Sequence, residues 1–243
     1  MIFDHYQFTS QGGRSYNEDS VGSKDMNGHG IFVVADGLGG HSFGELASAC
    51  VRDCLIGGWS PETEGITRET WFETKVSEAN QSVLAHQKEK GCALKSTVVA
   101  LMVDGTSAVW GNSGDSRLYY LHQGKIHSIT EDHSVAYKKY KAGEITREQI
   151  GSDEDQSCLL RAIGNEDRFE ADIHTCDVPV EPGDAFMLCS DGVWEYLKDE
   201  EILIDLLKSD NAKEWAELLL MRVMSRISPG NDNLSILTVM MKE

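Results

Sequence analysis

Long apolar runs, prolines and positive charges are all scarce in this sequence. Its 243 residues include only four prolines, and 40 Asp and Glu residues outnumber 22 Lys and Arg residues, so the formal net charge is −18. No apolar run approaches the roughly 18 residues that cross a bilayer, and residues 1–5 lack the basic start of a signal peptide. An acidic chain also repels nucleic-acid phosphates and anionic lipids. We therefore expect no signal peptide and no binding to nucleic acid or membrane.

Cysteine pairs of the C-x-x-C kind are absent too. The six cysteines are scattered along the sequence, and a chain of this length can fold around an apolar core without disulfides. We therefore expect reduced thiols and a cytoplasmic protein. No repeat, low-complexity tract or Pro/Ser-rich linker divides the sequence, which predicts one domain over residues 1–243.

Apolar patterning predicts both strands and helices. Short apolar runs at residues 31–35, 97–103, 185–189 and 234–241 are typical of buried strands, and Gln123-Gly124 is typical of a hairpin turn. Stripes that begin at Phe43, Phe72, Ile202 and Trp215 recur at helical spacing, with Gly91 as a stop signal. This element order favours an α+β fold in which helices cover antiparallel sheets. The polar stretch 133–163 predicts a small helical insertion or surface flap.

Acidic residues recur at the ends of the predicted strands. Asp36 follows one apolar run, Asp191 follows another and Asp232 precedes a third, each close to glycine or asparagine; Glu18, Asp19 and Asp115 lie in similar segments. A carboxylate at a strand end projects from the rim of a sheet, and a neighbouring glycine lets backbone carbonyls approach a ligand. Carboxylates that meet there would repel one another. Oxygen ligands without His or Cys spacing favour a hard cation, Mg²⁺ or Mn²⁺, over Zn²⁺.

A turn is the alternative interpretation for each of these segments. Asp-Gly and Asn-Asp-Asn sequences are common turn formers, and any one of them alone is more typical of a turn than of a metal site. Their repetition at several strand ends is what favours a metal site.

A series of short motifs runs through almost the whole chain. In these motifs and their order the chain resembles the metal-dependent protein phosphatases, the PPM or type 2C Ser/Thr phosphatases, in their compact bacterial form. The motifs are Arg14-x-x-Asn17-Glu18-Asp19, Ala35-Asp36-Gly37-Leu38-Gly39-Gly40-His41, Gly44-Glu45-x-Ala47-Ser48, Ser96-Thr97, Gly114-Asp115-Ser116-Arg117, Thr130-x-Asp132-His133-Ser134, Leu159-Leu160-Arg161-Ala162-Ile163-Gly164, Ser190-Asp191-Gly192-Val193-Trp194-Glu195 and Asp232-Asn233-Leu234-Ser235.

The resemblance implies a fold and a place for the metal site. The expected fold is a four-layer αββα sandwich, with two central antiparallel β-sheets flanked by helices and a binuclear metal site at one rim. Residues 133–160 would form a flap beside that site.

The resemblance also implies roles for individual residues. Asp36 would bridge two Mn²⁺ or Mg²⁺ ions, and Arg14 would bind the substrate phosphate. His41 is a candidate substrate contact, while an equally good alternative makes it a structural histidine. The implied metal ligands around one ion are Asp36, the Gly37 carbonyl and, directly or through water, Glu18 and Asp19. Asp191 and Asp232 would hold the other ion, and Asp115 would lie at a third, weaker site.

The implied activity is hydrolysis of phosphoserine and phosphothreonine in proteins. A metal-activated water would attack phosphorus in line, without a protein nucleophile, and the enzyme would act in signalling by opposing a Ser/Thr kinase, as a monomer. The general acid stays open, because Leu38 occupies the position where some eukaryotic relatives carry histidine; His41 and a metal-bound water are the candidates.

Other hydrolase mechanisms fit the sequence poorly. No G-x-S-x-G elbow accompanies Ser190, Ser116 or Ser134, and no C-x5-R loop follows Cys189. Two alternatives remain: a non-catalytic binding module on the same fold, and a two-metal hydrolase of small phosphate esters.

Overall fold

The computed structural model describes residues 2–39, 43–61, 66–166 and 169–243. The strands found there are β1 (Ile2–Ser10), β2 (Asp19–Met26), β3 (His29–Gly39), β4 (Leu94–Ser96), β5 (Val98–Asp104), β6 (Ser107–Ser113), β7 (Arg117–His122), β8 (Lys125–Ile129), β9 (Asp172–Thr175), β10 (Ala185–Cys189) and β11 (Leu234–Lys242). The helices are α1 (Gly44–Gly58), α2 (Arg68–Lys90), α3 (Val135–Lys141), α4 (Asp191–Trp194), α5 (Asp199–Lys208) and α6 (Ala212–Met224), with a 3-10 helix at Arg147–Ser152.

The strands form two sheets in which every pairing is antiparallel. Sheet I has the order β1-β11-β10-β7-β8. Sheet II has the order β2-β3-β5-β6-β9, and β4 pairs with the end of β3. The two sheets therefore each gather strands from distant parts of the chain.

Side chains along the strands alternate between the two faces of each sheet, and this alternation creates three apolar layers. In β3, Phe32 and Val34 point between the two sheets, while Ile31, Val33 and Ala35 pack under α1 and α2. In β10, Phe186 points between the sheets and stacks on Tyr120 with ring centroids 4.6 Å apart, while Met187 packs under α5 and α6. Since successive side chains of a strand point to opposite faces, each sheet is buried on both sides. The result is the predicted four-layer αββα sandwich.

The predicted strands and turns are confirmed, with bounds that differ by a few residues. The four apolar runs lie in β3, β5, β10 and β11. Gln123 and Gly124 join β7 to β8 with φ of 48° and 70°, the positive pair that a type I′ hairpin turn requires. Gly91 ends α2 in the left-handed conformation.

Helix α1 lies where the stripe that begins at Phe43 predicts a helix. The stripe residues Phe43, Cys50 and Cys54 are half-buried and pack against the core beneath the helix. The fully buried apolar positions are Ala47, Val51 and Leu55, one residue further along. The predicted helix is therefore confirmed, and the stripe lies at the edge of its buried face.

Residues 133–160 contain the expected helical insertion. An isolated β-bridge pairs Ser134 with Leu159, and helix α3 and the 3-10 helix lie between these two residues in the chain. Ala136, Tyr137 and Ile150 pack into the layer beneath α5 and α6. We call residues 133–160 the flap.

All six cysteines are unpaired, and none of the helices in the described ranges has the length and apolarity to span a membrane.

Candidate metal centre

Two aspartates from neighbouring strands face each other at one end of sheet II. Asp19 opens β2, Asp36 lies near the end of β3, and the two are direct partners in the antiparallel register. Residues in such positions have Cβ atoms about 4.5–5.5 Å apart, so the carboxyl groups lie side by side. Asp191, which follows β10 of sheet I after Ser190, lies near enough for its charge to raise the pKa of both carboxyl groups. The ends of both sheets thus meet at this point.

Burial and mutual repulsion raise the pKa of these carboxyl groups. Burial is the main cause in each case: it raises the pKa of Asp19 to about 7 and that of Asp191 to about 6, with Asp232 adding to both shifts. The pKa of Asp36 lies well above its ordinary value, because burial is reinforced by the charges of Asp19 and Asp191. Full ionisation of the group at neutral pH is therefore unfavourable unless positive charge lies beside it.

Sheet I supplies the hydrogen bond that holds Asp19. The Ser190 hydroxyl donates to Asp19 Oδ2 over 2.9 Å and accepts from the Ser235 amide over 3.2 Å. Asp19 Oδ1 is also buried and has no hydrogen-bond partner among the described residues. A buried carboxylate oxygen with no donor is suited to a cation. Sequence reasoning considered Ser190 only as a nucleophile and missed this supporting role.

Glu18 and the Gly37 carbonyl lie together at the start of α1. Glu18 Oε1 accepts from the Gly44 amide over 3.0 Å, and the Gly37 amide donates to the Glu18 carbonyl over 3.1 Å. A Cβ on Gly44 would lie 2.7 Å from both Glu18 Oε1 and Gly37 O, and a Cβ on Gly37 would lie 2.1 Å from Gly44 O. Only glycine fits at either position, so the motif glycines permit this close packing. Burial raises the pKa of Glu18.

Arg14 reaches the centre through Asp232. Its Nη2 atom donates to Asp232 Oδ2 over 2.8 Å although the arginine side chain is 56% exposed. The segment that carries Arg14 is fixed by Asn233, which accepts from the Glu18 amide and donates to the carbonyls of Gln11 and Tyr16. The guanidinium is thus placed at the mouth of the centre and not on an unrelated surface.

Asp115 lies deeper, in the connection from β6 to β7. It is buried, and burial followed by the charges of Asp191 and Asp132 raises its pKa well above the ordinary value. The Trp194 indole donates to the Asp115 carbonyl over 2.9 Å. The Arg117 guanidinium lies 3.5 Å from the Trp194 ring centroid and is paired with Asp132. This buried stack fixes the backbone at Asp115.

Glu195 is a further acidic neighbour that sequence reasoning did not select. Burial, followed by the charges of Asp191 and Asp232, raises its pKa to about 8. Its Oε1 atom is buried without a hydrogen-bond partner among the described residues. Glu195 is the last residue of the motif that begins at Ser190, but its position in the sequence does not distinguish it from a surface glutamate.

The predicted site residues differ in how closely they come together. Asp19 and Asp36 are strand partners, the charges of Asp191, Asp115 and Asp232 act on Asp36, and Glu18 lies beside Gly37. Within residues 2–39, 43–61, 66–166 and 169–243, no three His, Cys, Asp or Glu side chains yet form a set that could hold one ion. Asp232 accepts a hydrogen bond from Arg14, and Asp191 accepts one from the Gly192 amide. His41 lies outside the described residues.

The donor set nevertheless suits a hard divalent cation. Every candidate donor is an oxygen, and Asp19 Oδ1 lacks a hydrogen-bond partner among the described residues. Burial and neighbouring carboxylates raise the pKa values of Asp19, Asp36 and Asp191. The family model of protein phosphatase 2C matches residues 11–222. The chain belongs to the protein phosphatase 2C family.

Relatives of this phosphatase match it over nearly its full length. The serine/threonine phosphatase stp of Listeria welshimeri is 32% identical over 244 residues, covering 97% of this chain and 95% of the relative. The serine/threonine phosphatase PstP/Ppp of Mycobacterium tuberculosis has a TM-score of 0.87 at 26% identity, with both chains fully covered. The catalytic domain of PstP in complex with two manganese ions has a TM-score of 0.85 at 25% identity, covering 99% of each chain.

Membership of the protein phosphatase 2C family confirms several predictions together. These are the family itself, the α+β sandwich, the class of metal-dependent Ser/Thr phosphatases and a pair of divalent cations as cofactor. The roles of single residues are not tested by these likenesses and stay predictions.

Proposed function

We propose that this phosphatase hydrolyses phosphoserine and phosphothreonine in proteins at the centre formed by Asp19, Asp36 and Asp191. The observation that supports this most strongly is the meeting of these three carboxyl groups from both sheets, with raised pKa values and an unpartnered oxygen. Such a group is unfavourable by itself and becomes favourable beside divalent cations.

The residues divide between two cation positions. In this proposal Asp36 would bridge the two cations. Glu18, Asp19 and the Gly37 carbonyl would hold one side, and Asp191 and Asp232 would hold the other. Asp115, deeper in the fold, suits the third and weaker position. Bound cations supply a hydroxide from water at neutral pH and offset negative charge on phosphoryl oxygens.

Arg14 would bind the phosphate of the substrate. Its guanidinium is exposed at the mouth of the centre and paired with Asp232 by one nitrogen. An arginine can donate to two phosphate oxygens at once, so an incoming phosphate can take up the donors that face solvent. Leu38 has no proton to donate, and the identity of the general acid, His41 or a water, stays a prediction.

The proposal also covers the localisation, oligomeric state, signalling role and domain organisation of the enzyme. We infer that it is a cytoplasmic, monomeric signalling enzyme that opposes a Ser/Thr kinase. We also propose that residues 1–243 form one domain, in which the flap borders the substrate site. The packing of Ile150 and Tyr137 into the layer beneath α5 and α6 supports this last point.

Replacing the central aspartates tests the proposal. With Mn²⁺, the wild-type protein should release phosphate from a phosphothreonine peptide and stop when a chelator is added. Asp36→Asn and Asp191→Asn should each lower kcat by about a thousandfold or more, since each removes a ligand and a charge that holds a cation. Asp53→Asn, an exposed change on α1, is the matched control and should leave kcat unchanged.

Two results would contradict this proposal. Full activity of Asp36→Asn and Asp191→Asn would exclude the assigned centre, provided that both variants melt like the wild type. A wild-type enzyme that hydrolyses para-nitrophenyl phosphate efficiently but leaves phosphopeptides intact would instead be a hydrolase of small esters.

A further inference from the structure

A cavity of about 660 Å³ lies between the flap and the start of α5. Arg147, Glu148 and Gly151 of the 3-10 helix line one wall, and Glu195, Tyr196 and Lys198 line the opposite one. The volume is in the range of cavities that bind small ligands or single side chains. No residue assigned to the cation positions lines this space, so it is separate from the centre described above.

Glu195 offers the cavity a hydrogen-bond acceptor that nothing uses. Its Oε1 atom is buried and has no partner in the part of the chain that the structure describes. The flap packs on the same side chain, since a Cβ on Gly151 would lie 3.0 Å from Glu195 Cγ. A buried acceptor without a donor costs free energy. An occupant of the cavity that brings a donor would remove this cost.

The charges around the cavity favour a cationic occupant. The three arginines that line it already have acidic partners: Arg117 pairs with Asp132, Arg147 with Asp199 and Arg226 with Glu201. The charge of Lys198 acts on Glu148. Glu148, Glu195 and Glu200 line the cavity without an ion pair among the described residues, against one such base, Lys198. The charge of the paired Arg117 also acts on Glu195, and the charges that stay unpaired are mainly negative. A Lys or Arg side chain complements this arrangement better than an anion does.

The cavity is close enough to the reaction centre to contact the same substrate. The Glu195 amide donates to the Asp191 carbonyl over 3.1 Å, which places the two residues one helical turn apart. Side chains at that spacing have Cβ atoms about 5–6 Å apart, and an extended peptide advances about 3.3 Å per residue. A residue one or two positions from the phosphorylated one can therefore reach Glu195.

We propose that this cavity binds a Lys or Arg side chain of the phosphoprotein substrate, one or two residues from the phosphorylated Ser or Thr, with Glu195 as its partner. The proposal rests on the phosphatase function argued above and adds a substrate preference to it. Glu195 is thus a specificity-determining residue, and the flap forms the roof under which the basic side chain lies.

A set of matched phosphothreonine peptides tests the preference. The peptides are identical except that Lys, Gln or Glu occupies one position, from two residues before to two residues after the phosphothreonine. At one of these positions the wild-type enzyme should favour Lys over Gln by about tenfold in kcat/KM, the value of one hydrogen bond to a charged group. In Glu195→Gln this Lys-to-Gln ratio should fall below about twofold. Because the readout is a ratio, a general change in rate cancels.

Glu217→Gln is the matched control for the change of side chain. Glu217 lies on α6, where it pairs with Lys213, and the same Glu-to-Gln replacement is made there outside the cavity. The control should keep the wild-type ratio. An equal fall in both variants, or a wild-type enzyme without any preference for Lys, would overturn the cavity assignment. If the wild type hydrolysed none of the peptides, the proposed function itself would instead be overturned.

Discussion

At the scale of single residues, Asn233 fixes the segment that carries Arg14. Its buried amide accepts from the Glu18 amide over 2.8 Å and donates to the carbonyls of Gln11 and Tyr16 over 2.9 Å each. The sequence indicated Asn233 only as part of the motif Asp232-Asn233-Leu234-Ser235. In the structure its backbone amide does contact Asp232 Oδ1, but its side chain holds a different part of the chain.

Asn233→Ala should therefore weaken both stability and substrate binding. The change leaves buried backbone groups without partners, so we expect a loss of about 2–3 kcal/mol in the free energy of unfolding. KM for a phosphothreonine peptide should rise, because the segment that presents Arg14 is no longer held. Urea unfolding and steady-state kinetics measure the two effects.

Asn231→Ala is the control at the same turn. It removes a single hydrogen bond, to the Asp232 carbonyl, and should cost less than half as much stability. Equal losses in the two variants would show that the Asn233 amide has no special role.

At the scale of secondary-structure elements, helix ends follow the sequence more closely than helix faces do. Gly91 ends α2 where a stop was expected, and the Asn211 side chain accepts from the Glu214 amide at the start of α6. The stripe that begins at Phe43 lies at the edge of the buried face of α1, and in α5, where a stripe begins at Ile202, Leu207 is 69% exposed. A cap depends on neighbours in the chain, whereas a buried face depends on how the helix lies on its sheet.

Substitutions at Gly91 and Gly57 measure the effect of glycine on backbone conformation without a change in packing. Gly91 has φ of +67°, Gly57 in α1 has ordinary helical geometry, and a Cβ added at either would meet nothing within 4 Å. Gly91→Ala should destabilise the protein by about 1 kcal/mol, because alanine is strained in the left-handed region. Gly57→Ala should stabilise it by about 0.5 kcal/mol, because alanine is the better helix former. Urea midpoints with saturating Mn²⁺ measure both, and a shift of the same sign in both variants would refute this explanation.

At the scale of the whole molecule, the centre opposes folding when no cation is bound. Folded-state pKa values of about 7 for Asp19 and about 6 for Asp191 exceed the ordinary value of 3.8. Between pH 4 and pH 8 the folded protein consequently holds more protons than the unfolded chain. Stability from these groups is fully present below pH 4 and is lost as the pH rises through 6 and 7.

Thermal unfolding across pH should show this loss in chelator. From pH 5 to pH 8 the metal-free protein should lose on the order of a few kcal/mol of unfolding free energy. Saturating Mn²⁺ should largely abolish the loss, because cation binding favours the ionised carboxylates. Asp36→Asn should flatten the curve in chelator. A metal-free protein that becomes more stable over this range would contradict the assignment.

The ion pair of Glu201 acts in the opposite direction and at lower pH. Its hydrogen bond with Arg226 lowers the pKa of Glu201 to about 2, so the stability that it contributes is present above pH 4 and is lost as the pH falls toward 2. The two effects therefore occupy separate parts of the pH range.

The sequence by itself determined the motifs, the four apolar strands, the hairpin turn and the positions of the carboxylates along the chain. These depend on periodicity and on residues a few positions apart. Only the tertiary structure decided that Ser190 donates to Asp19 across 171 residues, that Asn233 holds the Arg14 segment, and that Gly151 of the flap covers Glu195. Partners of this kind are set by how two sheets and a flap pack together, and no local pattern encodes that packing.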